Sequence, residues 1–485
     1  MKRDTNINKP AQGIVPIYYY PKVMSMINLI IVLWFVTAYD VQASVIARGL
    51  CGKTRLADIK WELSDDGVLS LNGIGMMSDF DYGTAPWVNY KLQIQYVNMD
   101  DRITSVGDFA FFECYQLKNV YCSDSLIRIG KNSFSSCWNL QSLNLPNSLI
   151  EIGAEALFDC RKIKNMNIPL SVETIGEYAF WGLDTIKHLY VPASVHTIGE
   201  NALPHVPIIV DSNNPSYKSI DDILYSKDGD TLFYCALTKQ GCVSIPDGVR
   251  YISDNAFALC KWIEAIVLPS STLSIGAYAF DECISLRSVE FPDSVMVLES
   301  SSFSGCTNLK DIKLGINLRE ISPKAFDYCS SINNIEVNID NTHFASIDGS
   351  LYTKGGDTLV VCRKNAVELS IPTSCKKLAY HSVAYCTNLE RIVIPASVTE
   401  ISENTFLQCS RLTEIYIENM KPKSTYYTLN RGINMPPCRI YVPKGTKKQY
   451  IKRGLNRWGE IIEYNENNIR KVVKSDGTVV QQTAY

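Results

Sequence analysis

The stretch IGAYAFDECISLRSVEFPDSV, Ile275 to Val295, decides the fold, because close copies of it recur along the chain in a fixed phase. A second copy, IGEYAFWGLDTIKHLYVPASV, runs from Ile175 to Val195. A unit of this length that repeats in series is the signature of a solenoid, in which each unit buries its apolar face only against its neighbours. The sequence therefore predicts an array of stacked units.

The spacing of the copies is 23 residues, and a cysteine marks the same place in most of them. An aliphatic or aromatic residue stands three positions earlier, and a small residue precedes that one. Eleven units share this phase, with the slot residues Cys114, Cys137, Cys160, Leu183, Val206, Cys260, Cys283, Cys306, Cys329, Cys386 and Cys409. Because leucine and valine replace the cysteine in two copies, the slot is predicted to be a position of the apolar core.

Each unit combines a short strand with a second apolar segment. In LQSLNLP (140–146), apolar and polar residues alternate, which predicts a half-buried strand that ends at the proline. In IGAEALFDC (152–160), the apolar residues have the spacing of one helix face, which predicts a short helical or 3-10 turn. We therefore expect an α/β solenoid with parallel strands on its concave face and the helical turns on its convex face.

Two longer units, at about 207–250 and 333–376, interrupt the 23-residue step. Their extra segments match each other: SIDDILYSKDGDTLFYC (219–235) aligns with SIDGSLYTKGGDTLVVC (346–362). Each reads as strand, tight turn and strand, because glycine and aspartate lie between two apolar runs. Both units are therefore predicted to carry a β-hairpin.

The regions outside the array differ from it, as the ends of a solenoid must. We expect a signal segment at 1–43, an N-terminal β cap at 44–102, the array at 103–417, a C-terminal cap at 418–464 and a polar tail at 465–485.

Export is predicted from the apolar run Leu29–Ala38, which follows a lysine and precedes small residues before Ser44. The alternative is an uncleaved N-terminal anchor, although the run is short for a membrane span. Residues 1–21 of the segment precede Lys22 and would be an artefact if a later methionine is the true start.

The repeat resembles the treponemal-type leucine-rich repeat of BspA-like surface proteins, with the pattern I-G-x-x-A-F-x-x-C-x-x-L-x-x-V-x-L-P-x-S-V. Cys51-Gly52 and Ala85-Pro86-Trp87 resemble the cap that precedes such arrays, and Tyr441-Val442-Pro443 with Trp458 resembles the closing unit. The resemblance covers about Cys51 to Tyr464, with local departures at Glu299 and Gly315. It implies a leucine-rich-repeat array on the surface of, or secreted by, a host-associated bacterium, and binding to host matrix proteins or other cells.

The composition favours a binding protein over an enzyme. The net charge is only −3 and no stripe of lysine and arginine stands out, so nucleic acid is not an expected partner. No nucleophile motif or carboxylate pair is evident. We expect a protein or glycan ligand on host or bacterial cells, no enzyme activity and no integral membrane domain after signal removal. Two alternatives remain: a structural envelope spacer without a specific ligand, and a non-catalytic accessory subunit of an enzyme.

No cofactor or metal is expected. The stretch ARGLCGKT (47–54) fits a relaxed phosphate-loop pattern, but a phosphate loop needs a helix directly after it, and the next residues lead into a cap strand. None of the five histidines has a zinc-ligand spacing.

The candidate ligand site lies on the outward positions of the first strands of the array. These positions are rich in amide and aromatic side chains and nearly uncharged, so they can bond a partner at a small desolvation cost. The centre of the candidate site is Tyr121, Asn144, Asn167, His188 and Tyr190. The alternative is that these are ordinary surface residues of a strand. The later strands carry mixed charge, as at Arg391 and Glu414.

The sixteen cysteines are predicted to be mostly reduced. Those in the repeated slot should be buried thiols, because neighbouring units are too far apart there for bridging. Seven others lie outside the slot: Cys51, Cys122, Cys235, Cys242, Cys362, Cys375 and Cys438. The sequence does not decide whether disulfide bonds join Cys235 to Cys242, or Cys362 to Cys375.

Overall fold

The fold is a parallel-strand β-solenoid. The computed structural model describes residues 43–54, 58–183, 185–421 and 437–464, and the backbone of 469–473 and 479–483. Equivalent strands of successive units pair in parallel at the predicted 23-residue step, as Glu151 does with Thr174 and Thr174 with Thr197. The spacing read from the sequence is therefore confirmed. The predicted signal segment lies outside the described residues except for its last position.

In every regular unit except that of Cys160, one strand follows the slot residue, and these strands with their equivalents in the caps and hairpin units form what we call the long ladder. Its strands are Val68–Asn72, Tyr96–Met99, Asn119–Tyr121, Ser142–Leu143, Leu189–Val191, Ile208–Val210, Gln240–Ser244, Trp262–Val267, Ser288–Glu290, Asp311–Leu314, Asn334–Val337, Glu368–Ser370, Arg391–Ile394, Glu414–Ile417, Cys438–Pro443 and Gly459–Tyr464. This is the ladder that the alternating pattern predicts.

In each unit, a second strand lies where the segment predicted to be helical begins, and these strands form the short ladder, which the sequence pattern did not reveal. Its strands are Gly75–Met76, Ile103–Val106, Arg128–Ile129, Glu151–Ile152, Thr174–Ile175, Thr197–Ile198, Tyr251–Ile252, Ser274–Ile275, Val297–Leu298, Glu320–Ile321, Lys377–Leu378 and Glu400–Ile401. Most of these strands have two residues, which is too short for a period-2 pattern to be recognised.

The segment between the short ladder and the cysteine slot, which we call the turn side, has turns in place of the expected helical segments. In Gly153–Cys160, the N–H of Leu157 donates to the carbonyl of Ala179 in the next unit, over 2.9 Å. Glu155 and Asp159 have φ of 53° and 62°, which directs alternate N–H groups toward the neighbour. Because these donors bond between units, they cannot form the i→i−4 bonds of an α-helix. The α/β description is therefore not confirmed.

Both longer units contain hairpins, and each has one strand more than the sequence suggested. The first unit has the strands Tyr217–Ile220, Ile223–Ser226 and Thr231–Cys235, and the second has Phe344–Ile347, Ser350–Thr353 and Thr358–Val361. Neighbouring strands of each hairpin are antiparallel, and the last strand joins the short ladder in parallel. At both units, neither ladder continues from the preceding strands by pairing.

The ends of the solenoid carry the remaining elements. Val45–Leu50 and Lys60–Ser64 pair antiparallel, and Lys60–Ser64 pairs in the same way with the first strand of the long ladder. The other elements are 3-10 helices at Val88–Tyr90 and Leu455–Arg457, an α-helix at Lys447–Lys452, and an antiparallel pair at Ile469–Val473 and Val479–Thr483.

The core consists of stacked copies of the same side chains. Phe280 lies between Phe257 and Phe303, with ring centroids 4.9 and 4.8 Å apart and nearly parallel planes. Most slot thiols donate to the carbonyl of the residue in the phenylalanine position one unit back, as Cys306 Sγ does to Phe280 over 3.1 Å, whereas Cys260 and Cys386 bond other groups. A thiol is a weak donor, so this bond explains a preference for cysteine without making it essential.

The core consists of three hydrophobic clusters, with one hairpin at each boundary between them. Side chains of each hairpin belong to the clusters on both of its sides. In the first hairpin, Leu224 packs with the N-terminal cluster, while Ile223 and Tyr225 pack with the middle one. Successive strand residues face opposite sides, so one strand serves both clusters.

Candidate functional site

All five candidate residues are exposed on the side of the long ladder. Tyr121 ends its strand and has 56% of its surface exposed, and Tyr190 is 38% exposed in the strand Leu189–Val191. Asn144, Asn167 and His188 are exposed next to, or outside, the strands. The outward orientation expected from alternation is therefore seen.

Four of the five side chains have no hydrogen-bond or ion-pair partner among the residues that the structure describes, namely Tyr121, Asn144, Asn167 and His188. Tyr190 donates its hydroxyl to the Asp211 carboxylate, and this bond raises the pKa of the tyrosine. Exposed amide and aromatic groups of this kind are available to a partner without first breaking an internal bond.

The strand face is less regular here than the sequence predicts. Within the described residues, no strand forms around Asn167, and the long ladder is interrupted between Ser142–Leu143 and Leu189–Val191. Tyr190 pairs with Ile209 of the next strand, and Ile209 is 48% exposed. The candidate surface is therefore mixed, with amide, aromatic and aliphatic groups.

The C-terminal end of the same ladder differs, because its charges bond one another. Arg391 lies between two carboxylates, 2.6 Å from Glu368 and 2.7 Å from Glu414. Arg439 also contacts Glu414, over 2.7 Å. A partner that binds here would compete with these cross-strand ion pairs.

Sequence reasoning missed a cleft at the first hairpin unit, on the turn side of the solenoid. It has a volume of about 440 Å³, and its wall includes Trp181, His205, Tyr217, Phe233 and Tyr234. The hairpin could be recognised in the sequence, but the open space between the hairpin and the preceding unit could not. The available signal was the density of aromatic residues on both sides of the interruption.

Three other features considered from the sequence are the phosphate-loop pattern, a metal site and a membrane span. Ala47–Leu50 of the phosphate-loop pattern belong to a strand that pairs antiparallel with Lys60–Ser64. The described part of the chain holds no group of three His, Cys, Asp or Glu residues arranged for a metal ion. It also holds no helix that is long and apolar enough to cross a membrane.

All sixteen cysteines are free thiols. Of the pairs left open by the sequence, Cys235 is buried and Cys242 is exposed, while Cys362 Sγ lies 3.0 Å from Cys386 Sγ instead of bonding to Cys375.

The repeated architecture agrees with a match to a protein family. The model of the BspA-type leucine-rich-repeat region matches six copies over residues 88–207, 229–352 and 360–432, well over half of the chain. The chain belongs to the BspA-type leucine-rich-repeat family. The resemblance of its 23-residue unit to that family is thus confirmed.

The chain is similar to several solved leucine-rich-repeat structures. A leucine-rich-repeat protein of Eubacterium ventriosum is 22% identical, with a TM-score of 0.51, and the match covers 77% of this chain and 87% of that one. A leucine-rich cell surface protein of Faecalibacterium prausnitzii is 21% identical, with a TM-score of 0.46 and coverages of 80% and 99%. The pneumococcal vaccine antigen PcpA is 18% identical, with a TM-score of 0.46 and coverages of 87% and 100%. Comparison with curated proteins finds no significant match.

Proposed function

We propose that this leucine-rich-repeat protein is an exported or cell-surface binding protein that adheres to a host matrix protein, a glycan or other cells. The contact surface is the first part of the long ladder, which we assign to the concave face. Its centre is Tyr121, Asn144, Asn167, His188 and Tyr190. Family membership supports a binding role, because stacked repeats present an extended surface to a large partner.

One observation carries the choice of surface. The side chains of Tyr121, Asn144, Asn167 and His188 are exposed and have no partner among the described residues, whereas Arg391 at the far end is held by two carboxylates. Aromatic and amide groups are enriched in the energetically important parts of interfaces. A ligand that binds at the N-terminal end of the ladder therefore breaks fewer internal bonds of the protein.

Export in this proposal depends on the segment 1–43, which we take to be removed as a signal peptide. Residues 44–102 and 418–464 then cap the array at 103–417, and 465–485 form a tail. Absence of a specific ligand would favour the spacer role, and binding that requires an enzyme subunit would favour the accessory role.

The test is binding of the mature chain, residues 44–485, to immobilised collagen, laminin, a glycan panel and intact bacterial cells. The double variant His188→Ala/Tyr190→Ala should weaken binding to the ligand so found by at least tenfold, because it removes two central contacts. The matched variant Arg391→Ala/Glu414→Ala should bind like the parent.

Two outcomes would contradict the proposal. Loss of binding in the Arg391/Glu414 variant alone would place the contact at the C-terminal end of the ladder. Parental affinity in both variants would move it away from the long ladder. Circular dichroism of each variant separates these outcomes from unfolding.

A further inference from the structure

The cleft at the first hairpin unit is formed where the regular stacking stops. The turn side of the preceding unit ends at Gly199–His205, and the next regular turn starts at Ser253. Between them, the last hairpin strand takes over the stacking, and the N–H of Cys235 donates to the carbonyl of Ala256 over 2.7 Å. A volume of about 440 Å³ stays open, within the range of about 300–1,000 Å³ that is usual for small-molecule sites.

Aromatic rings form much of the cleft wall. The rings of Trp181 and His205 meet edge to face with centroids 4.5 Å apart, and His205 is 5.7 Å from the ring of Tyr234. On the hairpin, Tyr217 and Phe233 meet edge to face over 5.8 Å. Phe233 is exposed and Trp181 is half-buried, so both can present a ring to a ligand.

Besides the hydroxyl of Ser253, the polar groups of the non-aromatic side chains in the lining are carboxylates and amides. They are Glu200, Asn201, Asp254 and Asn255, and the described lining contains no lysine or arginine. Glu200 and Asp254 are exposed, and each carboxylate has oxygen lone pairs to accept further hydrogen bonds. The rim therefore favours a ligand with several hydrogen-bond donors and disfavours an anion.

The second hairpin unit shows how such a junction closes. There, His381 Nδ1 lies 2.8 Å from Asp327 Oδ2, and both side chains are buried. Beside them, the rings of Tyr328 and Tyr385 lie 4.0 Å apart. These two contacts join the unit before the hairpin to the unit after it.

The first hairpin unit lacks the residues for both contacts. Counting from the cysteine slot, the counterparts of Asp327 and His381 are Pro204 and Asn255, which cannot form an ion pair. The counterparts of the tyrosine pair are His205 and Leu259, so no second pair of phenol rings can form. The open cleft is therefore a property of these particular residues and not of the hairpin itself.

We propose that this cleft binds a neutral sugar residue of an oligosaccharide. A pyranose has an apolar C–H face, which packs on an aromatic ring, and hydroxyl donors around its edge, which match the carboxylate and amide rim. A cationic ammonium group also suits aromatic rings and carboxylates. The cleft volume is several times that of such a group, so the sugar fits better. This site is separate from the long-ladder surface and does not depend on it.

The test uses the mature chain with lactose, maltose and N,N′-diacetylchitobiose, followed by saturation-transfer NMR and calorimetry. Binding of at least one disaccharide is expected, and Trp181→Ala should weaken it at least tenfold. The matched control is Trp138→Ala, since Trp138 is an exposed tryptophan directly after slot residue Cys137 that packs on Tyr115 outside the cleft. Trp138→Ala should leave the affinity within twofold.

Two further variants keep the test decisive if Trp181→Ala fails to fold. Pro204→Asp/Asn255→His transfers the closing pair of the second unit and should abolish sugar binding while long-ladder binding is kept. Phe233→Ala, at an exposed ring, should weaken the sugar at least threefold. The proposal is overturned if no disaccharide binds, if tetramethylammonium binds in their place, or if Trp138→Ala weakens binding as much as Trp181→Ala.

Discussion

His381 and Asp327 form a buried pair across the second hairpin unit, 54 residues apart in sequence, with Nδ1 2.8 Å from Oδ2. Only 5% and 8% of the two side chains are exposed. Asp327→Ala leaves a ring nitrogen of His381 without its partner in the interior, where Nε2 is already unpaired. We expect the free energy of unfolding to fall by about 1–3 kcal/mol, measured by urea denaturation.

The matched control for this pair is Asp311→Ala. Asp311 is an exposed aspartate of the long ladder, so its loss should change stability by less than about 0.5 kcal/mol. Equal effects of the two variants would mean that the buried pair does not hold the two units together. A double variant Asp327→Ala/His381→Ala should cost less than the sum of the single changes, because the residues are in contact.

Phe280 is the second test of the core. It is fully buried between two parallel rings, so Phe280→Ala removes both stacking contacts and leaves a cavity. The expected cost is about 3–5 kcal/mol by urea denaturation. The control Ile339→Ala, at a side chain that is 84% exposed, should be nearly neutral. A cost below about 1 kcal/mol for Phe280→Ala would show that the aromatic slot is not a core position.

The slot cysteines should resist modification in the native protein. Burial raises the pKa of the thiols of Cys137, Cys160, Cys283 and Cys306, so almost no reactive thiolate exists near neutral pH. Iodoacetamide followed by mass spectrometry should label exposed Cys242 and leave these four unlabelled until urea is added. Labelling of the four at the rate of Cys242, or a disulfide between any of them, would refute this.

The sequence predicted the features that depend on side-chain identity within one unit. The 23-residue phase placed Phe280 and Cys283 in the core, and alternation placed Tyr121 and Tyr190 toward solvent. These assignments succeed because burial follows the apolar pattern wherever identical units stack.

Two features, the backbone bonding of the turn side and the cleft, could not be predicted because they depend on contacts between neighbouring units. Ala156 and Leu157 have helical spacing and are buried as expected, but their backbone bonds to the next unit, which a single-unit pattern does not reveal. The cleft could not be predicted because the two hairpins align well in sequence but pack differently against their neighbouring units. The difference lies in residues outside the hairpins, such as Asp327 in one unit and Pro204 in the other.

The last prediction concerns the close approach of units at Gly176. A Cβ atom there would lie 2.3 Å from the backbone nitrogen of Ala154, and backbone atoms cannot move aside as a flexible side chain can. Gly176→Ala should therefore destabilise the array by about 1–3 kcal/mol, as overpacked cores do. Gly355→Ala is the control, since no atom lies within 4 Å of its Cβ position, and it should be neutral or slightly stabilising. Five other units carry a side chain at the equivalent position, namely Ser253, Glu299, Ser322, Ala379 and Ser402, so those units already accommodate one. If Gly176→Ala lowers the free energy of unfolding by less than about 0.5 kcal/mol in urea denaturation, the units around Gly176 can move apart to accommodate the added methyl group. Close packing would then not explain the repeated glycine.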